Sequence, residues 1–74
     1  MMERPQSERV WRMRKQNLQV DAELRDHGEA GVDLQFFYNG ELVYDRRCGT
    51  RAVALEEAFA KRLELDRGGW TSHW

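Results

Sequence analysis

The chain has 74 residues, of which 41% are hydrophobic and 34% are charged, and its formal net charge is −1. This length allows one domain with a small core and leaves no room for a deep cleft between two subdomains. The near-neutral charge argues against a general nucleic-acid binder, which is usually strongly basic. The single cysteine excludes an internal disulfide. No apolar run resembles a signal peptide or a membrane span, so we expect a cytoplasmic protein.

The N-terminal half begins with a polar segment and continues with two alternating segments. Residues 1–8 contain the only proline and show no period, so they are expected to form a flexible tail. Apolar and polar residues then alternate in two runs that are separated by a short polar stretch. Alternation of period two is typical of half-buried strands. We therefore predict a hairpin with strands near residues 9–14 and 17–26, with one long strand or a helix as the alternatives.

The dipeptide Asn39–Gly40 lies between two further alternating runs. It is a strong hairpin signal, because both residue types tolerate positive φ. Two registers are possible. A two-residue loop places Phe36 opposite Val43, whereas a three-residue loop with a bulge at Gly40 places Phe36 opposite Leu42. We favour the bulged form, because it gathers the apolar side chains on one face of the sheet.

The last long segment has the apolar spacing of a helix. Thr50 is suited to its N-cap and the glycines at 68–69 are suited to its end. Residues 71–74 are expected to form a loose tail. The apolar stripe that we expect to pack on the sheet comprises Ala52, Leu55, Phe59 and Leu63, widened by Ala58.

These elements predict an α+β fold in one domain over residues 9–70. Its expected architecture is a four-stranded antiparallel meander followed by one C-terminal helix packed on one sheet face, in the order β-β-β-β-α.

Several short motifs resemble those of a group of short bacterial proteins that are described only as hypothetical. They are Trp-Arg-Met at 11–13, Ala-Glu-Leu-Arg-Asp-His-Gly at 22–28, Asn-Gly-Glu-Leu at 39–42 and Gly-Trp at 69–70. The resemblance spans about residues 10–70. It implies a compact fold of this length, and it implies no activity.

No catalytic, cofactor or metal site is predicted, and we expect a protein that is not an enzyme. Cys48 precedes the predicted helix start, where a thiolate would be stabilised, but a lone cysteine at a strand end is more often a packing residue. One cysteine with the distant His27 and His73 does not supply the three or four ligands of a metal site. The acidic residues of the strands fall on the polar phase, as a solvated face requires.

Five arginines raise the possibility of an anion site. Arg46, Arg47 and Arg51 surround the predicted start of the helix, where the macrodipole favours anions. Together with Arg12 and Arg14 on the first strand, they could bind a phosphate or single-stranded nucleic acid. The other interpretation is ion pairing with carboxylates of adjacent strands, which we favour because acids and bases are nearly equal in number.

Arg46 and Arg47 are neighbours on one strand, so their side chains should point to opposite faces. Only one of them can then pair with the acids of the solvated face, and the other must reach the helix side.

Phe37 and Val43 indicate a possible partner surface. Phe37 lies on the polar phase of its strand, and beside Val43 it would form a small apolar patch on the open sheet face. Alternatively, a bulge turns Phe37 under the N-terminal tail. We therefore expect a protein-interaction module or a homodimer that binds through the open sheet face or an edge strand. A single-stranded nucleic-acid or anion-binding domain is the alternative, and no membrane or metal partner is expected.

Overall fold

A computed structural model describes residues 7–72 of the chain. Five strands form one antiparallel sheet in the order β4-β3-β2-β1-β5, and one helix packs on one face. The predicted α+β class with an antiparallel sheet and a C-terminal helix is confirmed, but the predicted number of four strands is wrong. The elements are β1 (Ser7–Lys15), β2 (Leu18–Asp26), a 3-10 turn (Gly28–Ala30), β3 (Val32–Tyr38), β4 (Glu41–Cys48), α1 (Arg51–Arg67) and β5 (Thr71–Ser72).

The fifth strand and the start of the first lie in segments that we expected to be tails. Residues 71–72 form β5, which pairs with the C-terminal end of β1. Residues 7–8 belong to β1 and pair with β2. Two residues are too few to show an alternation, so the sequence pattern carries no signal for β5. The rest of the expected tails, residues 1–6 and 73–74, lies outside the described residues.

Both predicted hairpins are present, but the second has a register that we did not expect. Asn39 and Gly40 form a two-residue turn with φ values of 51° and 86°. The favoured three-residue loop is therefore wrong. The bulge lies at Val43 instead, because Phe37 pairs with Leu42 while the preceding residue of β3 pairs with Tyr44. This shift places an aromatic ring of β4 beside one of β3.

An aromatic row crosses the helix side of the sheet. Trp11, Ala22, Phe36 and Tyr44 are successive cross-strand partners from β1 to β4. The small side chain of Ala22 lets the rings of Trp11 and Phe36 meet above it, with their centroids 5.8 Å apart. Phe36 and Tyr44 stack at 5.1 Å. The row therefore runs from beneath α1 out to the edge strand β4.

Helix α1 faces the sheet with small residues rather than with the predicted stripe. Ala54 and Ala58 are its buried residues. Ala52, Phe59 and Leu63 are exposed, so the predicted stripe is wrong at these three positions, while Leu55 packs against the core. The reason is that the sheet supplies the bulk. Trp11 lies under the helix, and its indole N–H donates to the carbonyl of Ala58 at 2.7 Å. A large helix side chain at this contact would hold the helix away from the sheet.

The ends of α1 agree with the prediction. The Thr50 hydroxyl accepts a hydrogen bond from the backbone N–H of Val53 at 3.2 Å. At the other end, the Gly68 N–H donates to the carbonyls of Glu64 and Leu65. Among the described residues, no helix combines the length and the apolar character that crossing a membrane requires.

Candidate partner-binding surface

The sheet face that points away from α1 is mostly polar, and several of its charges pair across strands. Arg12 of β1 makes a two-point contact with Asp21 of β2, with distances of 2.7 and 3.2 Å. Asp21 and Gln35 are buried on this face although no helix covers it. Cross-strand pairs of opposite charge stabilise a sheet. The part of this face that Arg12 and Asp21 occupy is therefore suited to contact with water.

Arg47 continues this pattern at the other edge of the sheet. Its guanidinium donates to Asp33, its direct cross-strand partner, and to the carbonyl of Ala30 at 2.9 Å. The His27 ring nitrogen Nε2 lies 2.8 Å from the second oxygen of Asp33. The hydrogen bond from Arg47, and then that from His27, hold the pKa of Asp33 below its ordinary value. The cluster joins the loop before β3 to β4.

We expect Asp33→Asn to reduce the loss of stability in acid. Because folding lowers the pKa of Asp33, its stabilising effect is complete above the unfolded pKa of about 3.9 and is lost as the pH falls through the folded value. Near neutral pH, the free energy of unfolding of the variant should be lower than that of the wild type by the largest amount. The two free energies should converge as the pH falls below the folded pKa of Asp33. Urea unfolding at several pH values measures this. Asp45→Asn on the same face is the control for the removal of one negative charge, because in the described part of the chain no hydrogen bond joins Asp45 to the His27–Asp33–Arg47 cluster.

The remaining arginines near the helix start also have carboxylate partners. Arg46 donates to Glu57 of α1 at 2.6 Å, and Tyr44 donates to the other oxygen of that carboxylate at 2.6 Å. Arg51 contacts both carboxylate oxygens of Glu8, at 2.8 and 2.7 Å. The hydrogen bond to Glu57, followed by burial, raises the pKa of the Tyr44 phenol.

These contacts bear on the two interpretations of the arginines, an anion site and ion pairing with carboxylates. Arg47 pairs on the polar sheet face and Arg46 on the helix side, so the expected division between the two faces is confirmed. Arg47 pairs with Asp33, a carboxylate of the adjacent strand, as the ion-pairing interpretation expects for one of the two arginines. Arg14 is likewise engaged within the structure. The geometry therefore supports ion pairing as the role of these arginines.

Phe37 and Val43 do not form one patch. Phe37 pairs with Leu42, on the face away from α1. Val43 is the bulge residue and lines a groove on the helix side together with Phe36 and Tyr44. The bulge separates the two positions, because it interrupts the regular alternation of β4 at this residue. Val43 is nevertheless 60% exposed, which makes it a candidate contact.

The groove that Val43 lines lies between α1 and the outer strands, and we call it the β4 groove. Its volume is about 550 Å³. Apolar side chains form its floor and walls, and charged side chains of α1 form its rim. The lining residues are Val20, Phe36, Val43, Tyr44, Ala60 and Leu65, with Glu57, Lys61 and Glu64 at the rim.

The β4 groove exists because one helix cannot cover the whole sheet. A helix is about 10 Å wide, whereas five strands span about 19 Å. The contact between Trp11 and Ala58 holds α1 over the inner strands, where it lies close to β1, β2 and β3. As a result, every residue of β4 except Cys48 is exposed. The aromatic row thus ends at an uncovered apolar surface.

Bulges interrupt β4, which is an edge strand, and the part of β1 that β5 does not cover. Val43 bulges in β4, and Val10 is the extra residue where the register of β1 shifts against β2. Bulges and charged residues on edge strands disfavour the addition of another strand. A partner at β4 is therefore expected to contact side chains rather than to extend the sheet.

The structure also shows where the candidate nucleophile Cys48 and the candidate metal ligands lie. Cys48 is buried at the end of β4, where it forms part of the core. Within residues 7–72, no three His, Cys, Asp or Glu side chains are grouped as a metal ion would require. His73 lies outside the described residues.

Comparisons of the chain with models of protein families, with curated proteins and with solved structures find no match. The resemblance to short bacterial proteins stays a prediction that depends on the quoted motifs. Function must therefore be inferred from the geometry of the surface.

Proposed function

We propose that the protein is a non-enzymatic interaction module that binds an apolar helix of a partner protein in the β4 groove. The observation that supports this function is the helix side of β4, where Val43 and Tyr44 are exposed beside the buried Phe36 of β3. A small domain has little apolar surface to leave exposed, and a contiguous patch is typical of a protein contact.

A helix is the partner element that fits this surface best. The β4 groove runs beside α1, so a second helix there would continue the layer of helix on sheet. A partner strand is disfavoured by the bulge at Val43. The rim carboxylates Glu57 and Glu64 pair with Arg46 and Lys61, so the apolar side chains rather than the rim charges would supply the contact.

A photo-crosslinking amino acid at position 43 tests where the partner binds. We expect it to give a covalent adduct with a partner protein in cells that produce the chain. The same amino acid at position 45, which is exposed on the same strand, is the matched control. It should give little of the adduct. Equal adducts from both positions, or an adduct that contains only two copies of this chain, would contradict the proposed function.

Val43→Lys is expected to weaken binding of the purified captured partner at least tenfold, which corresponds to about 1.4 kcal/mol. The substitution places a charge in an apolar contact, while the exposed position leaves the fold unaffected. Asp45→Lys should bind within about twofold of the wild type. Isothermal titration calorimetry measures the dissociation constants. If the affinity is the same for Val43→Lys and the wild type, the partner does not use the β4 groove.

The nucleic-acid alternative has less support. Arg12, Arg46, Arg47 and Arg51 each contact a carboxylate, so binding a phosphate would require the loss of these pairs. The net charge of −1 also provides little attraction for a polyanion.

A further inference from the structure

Phe59 and Leu63 form a second apolar surface, on the flank of α1 opposite the β4 groove. We call these two residues the α1 stripe. They are 49% and 51% exposed, which is high for large apolar side chains in a domain of this size. A shallow depression of about 300 Å³ surrounds them, lined also by Met13, Arg62, Asp66 and Ser72.

Within one chain, the side chains of the α1 stripe are covered only in part. Successive residues of a helix are about 100° apart, so Phe59 is turned well away from the buried Ala58. Leu63 follows one turn later and lies on the same side as Phe59. The contact of Trp11 with Ala58 fixes this rotation. Phe59 and Leu63 therefore lie on the flank of α1, about half exposed, at the edge of its contact with the sheet.

We propose that the α1 stripe is a self-association surface, on which α1 of a second copy packs in antiparallel orientation. A two-fold axis near residue 61 places Phe59 opposite Leu63 of the second copy. The same contact is repeated by symmetry, as in any isologous dimer. This site is separate from the β4 groove, so it goes beyond the proposed function.

Charge complementarity supports a second copy as the occupant. About the same axis, Glu56 and Arg67 of the second copy come to the same height along the helices. Both residues are exposed and both lie on one side of the α1 stripe. Within residues 7–72, neither makes an ion pair. The dimer would therefore contain two new pairs between Glu56 and Arg67.

The other side of the α1 stripe is compatible with this packing. Arg62 and Asp66 are one helical turn apart, so their charges offset each other within each copy. The interface is small, because α1 has 17 residues and is thus only about 25 Å long. A contact along one helix of this length buries less surface than the standard interface of about 800 Å² per partner. The dimer is therefore expected to dissociate on dilution.

Sedimentation equilibrium of the purified chain from about 10 to 500 μM tests the proposal. The wild type should change from monomer towards dimer over this range. Leu63→Glu should remain monomeric throughout. The matched control is Val53→Glu, because Val53 is 46% exposed and lies on the other flank of α1. It should associate like the wild type, and circular dichroism should show that both variants are folded.

A charge exchange tests the orientation of the helices. Glu56→Arg and Arg67→Glu should each weaken the dimer by about threefold to tenfold, and the double variant should recover most of the loss. Val43→Lys should leave the dimer intact, which separates this site from the β4 groove. A wild type that is still monomeric at about 500 μM would overturn the proposal. So would a Val53→Glu variant that disrupts the dimer as much as Leu63→Glu does. A double variant that recovers none of the lost affinity would overturn the predicted orientation and with it the proposal.

Discussion

Trp11→Ala is expected to lower the free energy of unfolding by about 3–5 kcal/mol, as is typical when a large aromatic residue is removed from a core. Trp11 is only 1% exposed, stacks on Phe36 and donates to the carbonyl of Ala58. Small domains have a total stability of only about 5–10 kcal/mol. The variant should therefore be partly unfolded at room temperature. Urea unfolding followed by circular dichroism measures the loss.

Trp11→Phe separates packing from hydrogen bonding. Phenylalanine keeps an aromatic ring beside Phe36 but cannot donate to the helix carbonyl. We expect a loss of about 1–3 kcal/mol, which is smaller than that for alanine. If Trp11→Ala lost less than about 1 kcal/mol, Trp11 would not be the contact that fixes α1 on the sheet.

The orientation of α1 shows where prediction from sequence reaches its limit. The spacing of apolar residues indicated the helix, and Thr50 indicated its start. Which side of the helix faces the sheet depends on the side chain that the sheet presents, and here Trp11 selects Ala54 and Ala58. The buried side of α1 is thus determined by contacts between residues that are distant in sequence. The α1 stripe was therefore assigned to the core, although the structure exposes Phe59 and Leu63.

The second hairpin shows the same limit for the candidate site. The Asn39–Gly40 turn has a local signal, because both residues tolerate positive φ. The bulge three residues later has no such signal. It is favoured by the stacking of Tyr44 on Phe36, which is a contact between strands. The sequence therefore drew attention to Val43 but did not indicate which side of the sheet it would line.

The remaining part of the β4 groove depends on residues with no distinctive pattern. Val20 and Leu65 come from β2 and the end of α1, and they meet only in the folded chain. Their types are those of any core residue. They become part of a surface because one helix covers the sheet incompletely. The composition of the chain and the spacing of its apolar residues do not indicate how much of the sheet a helix will cover.

Gly31→Ala is the substitution of a small residue with the largest expected effect. Gly31 has a φ of +106°, which side chains disfavour. In addition, a Cβ at this position would lie 2.6 Å from the carbonyl oxygen of Cys48. This oxygen belongs to the backbone of β4 at its pairing with β3, so it cannot move without disturbing the ladder. We expect a loss of at least about 3 kcal/mol from strain and displacement together.

Gly28→Ala is the matched control for Gly31→Ala. Gly28 also has a positive φ, of +63°, but a Cβ there would meet nothing within 4 Å. Its expected loss is about 1–2 kcal/mol, the cost of the left-handed conformation alone. Thermal and urea unfolding of both variants measure the difference. If Gly31→Ala loses more free energy of unfolding than Gly28→Ala, the difference is due to the close approach of the β4 backbone. Equal losses would mean that backbone conformation, and not this approach, restricts position 31 to glycine.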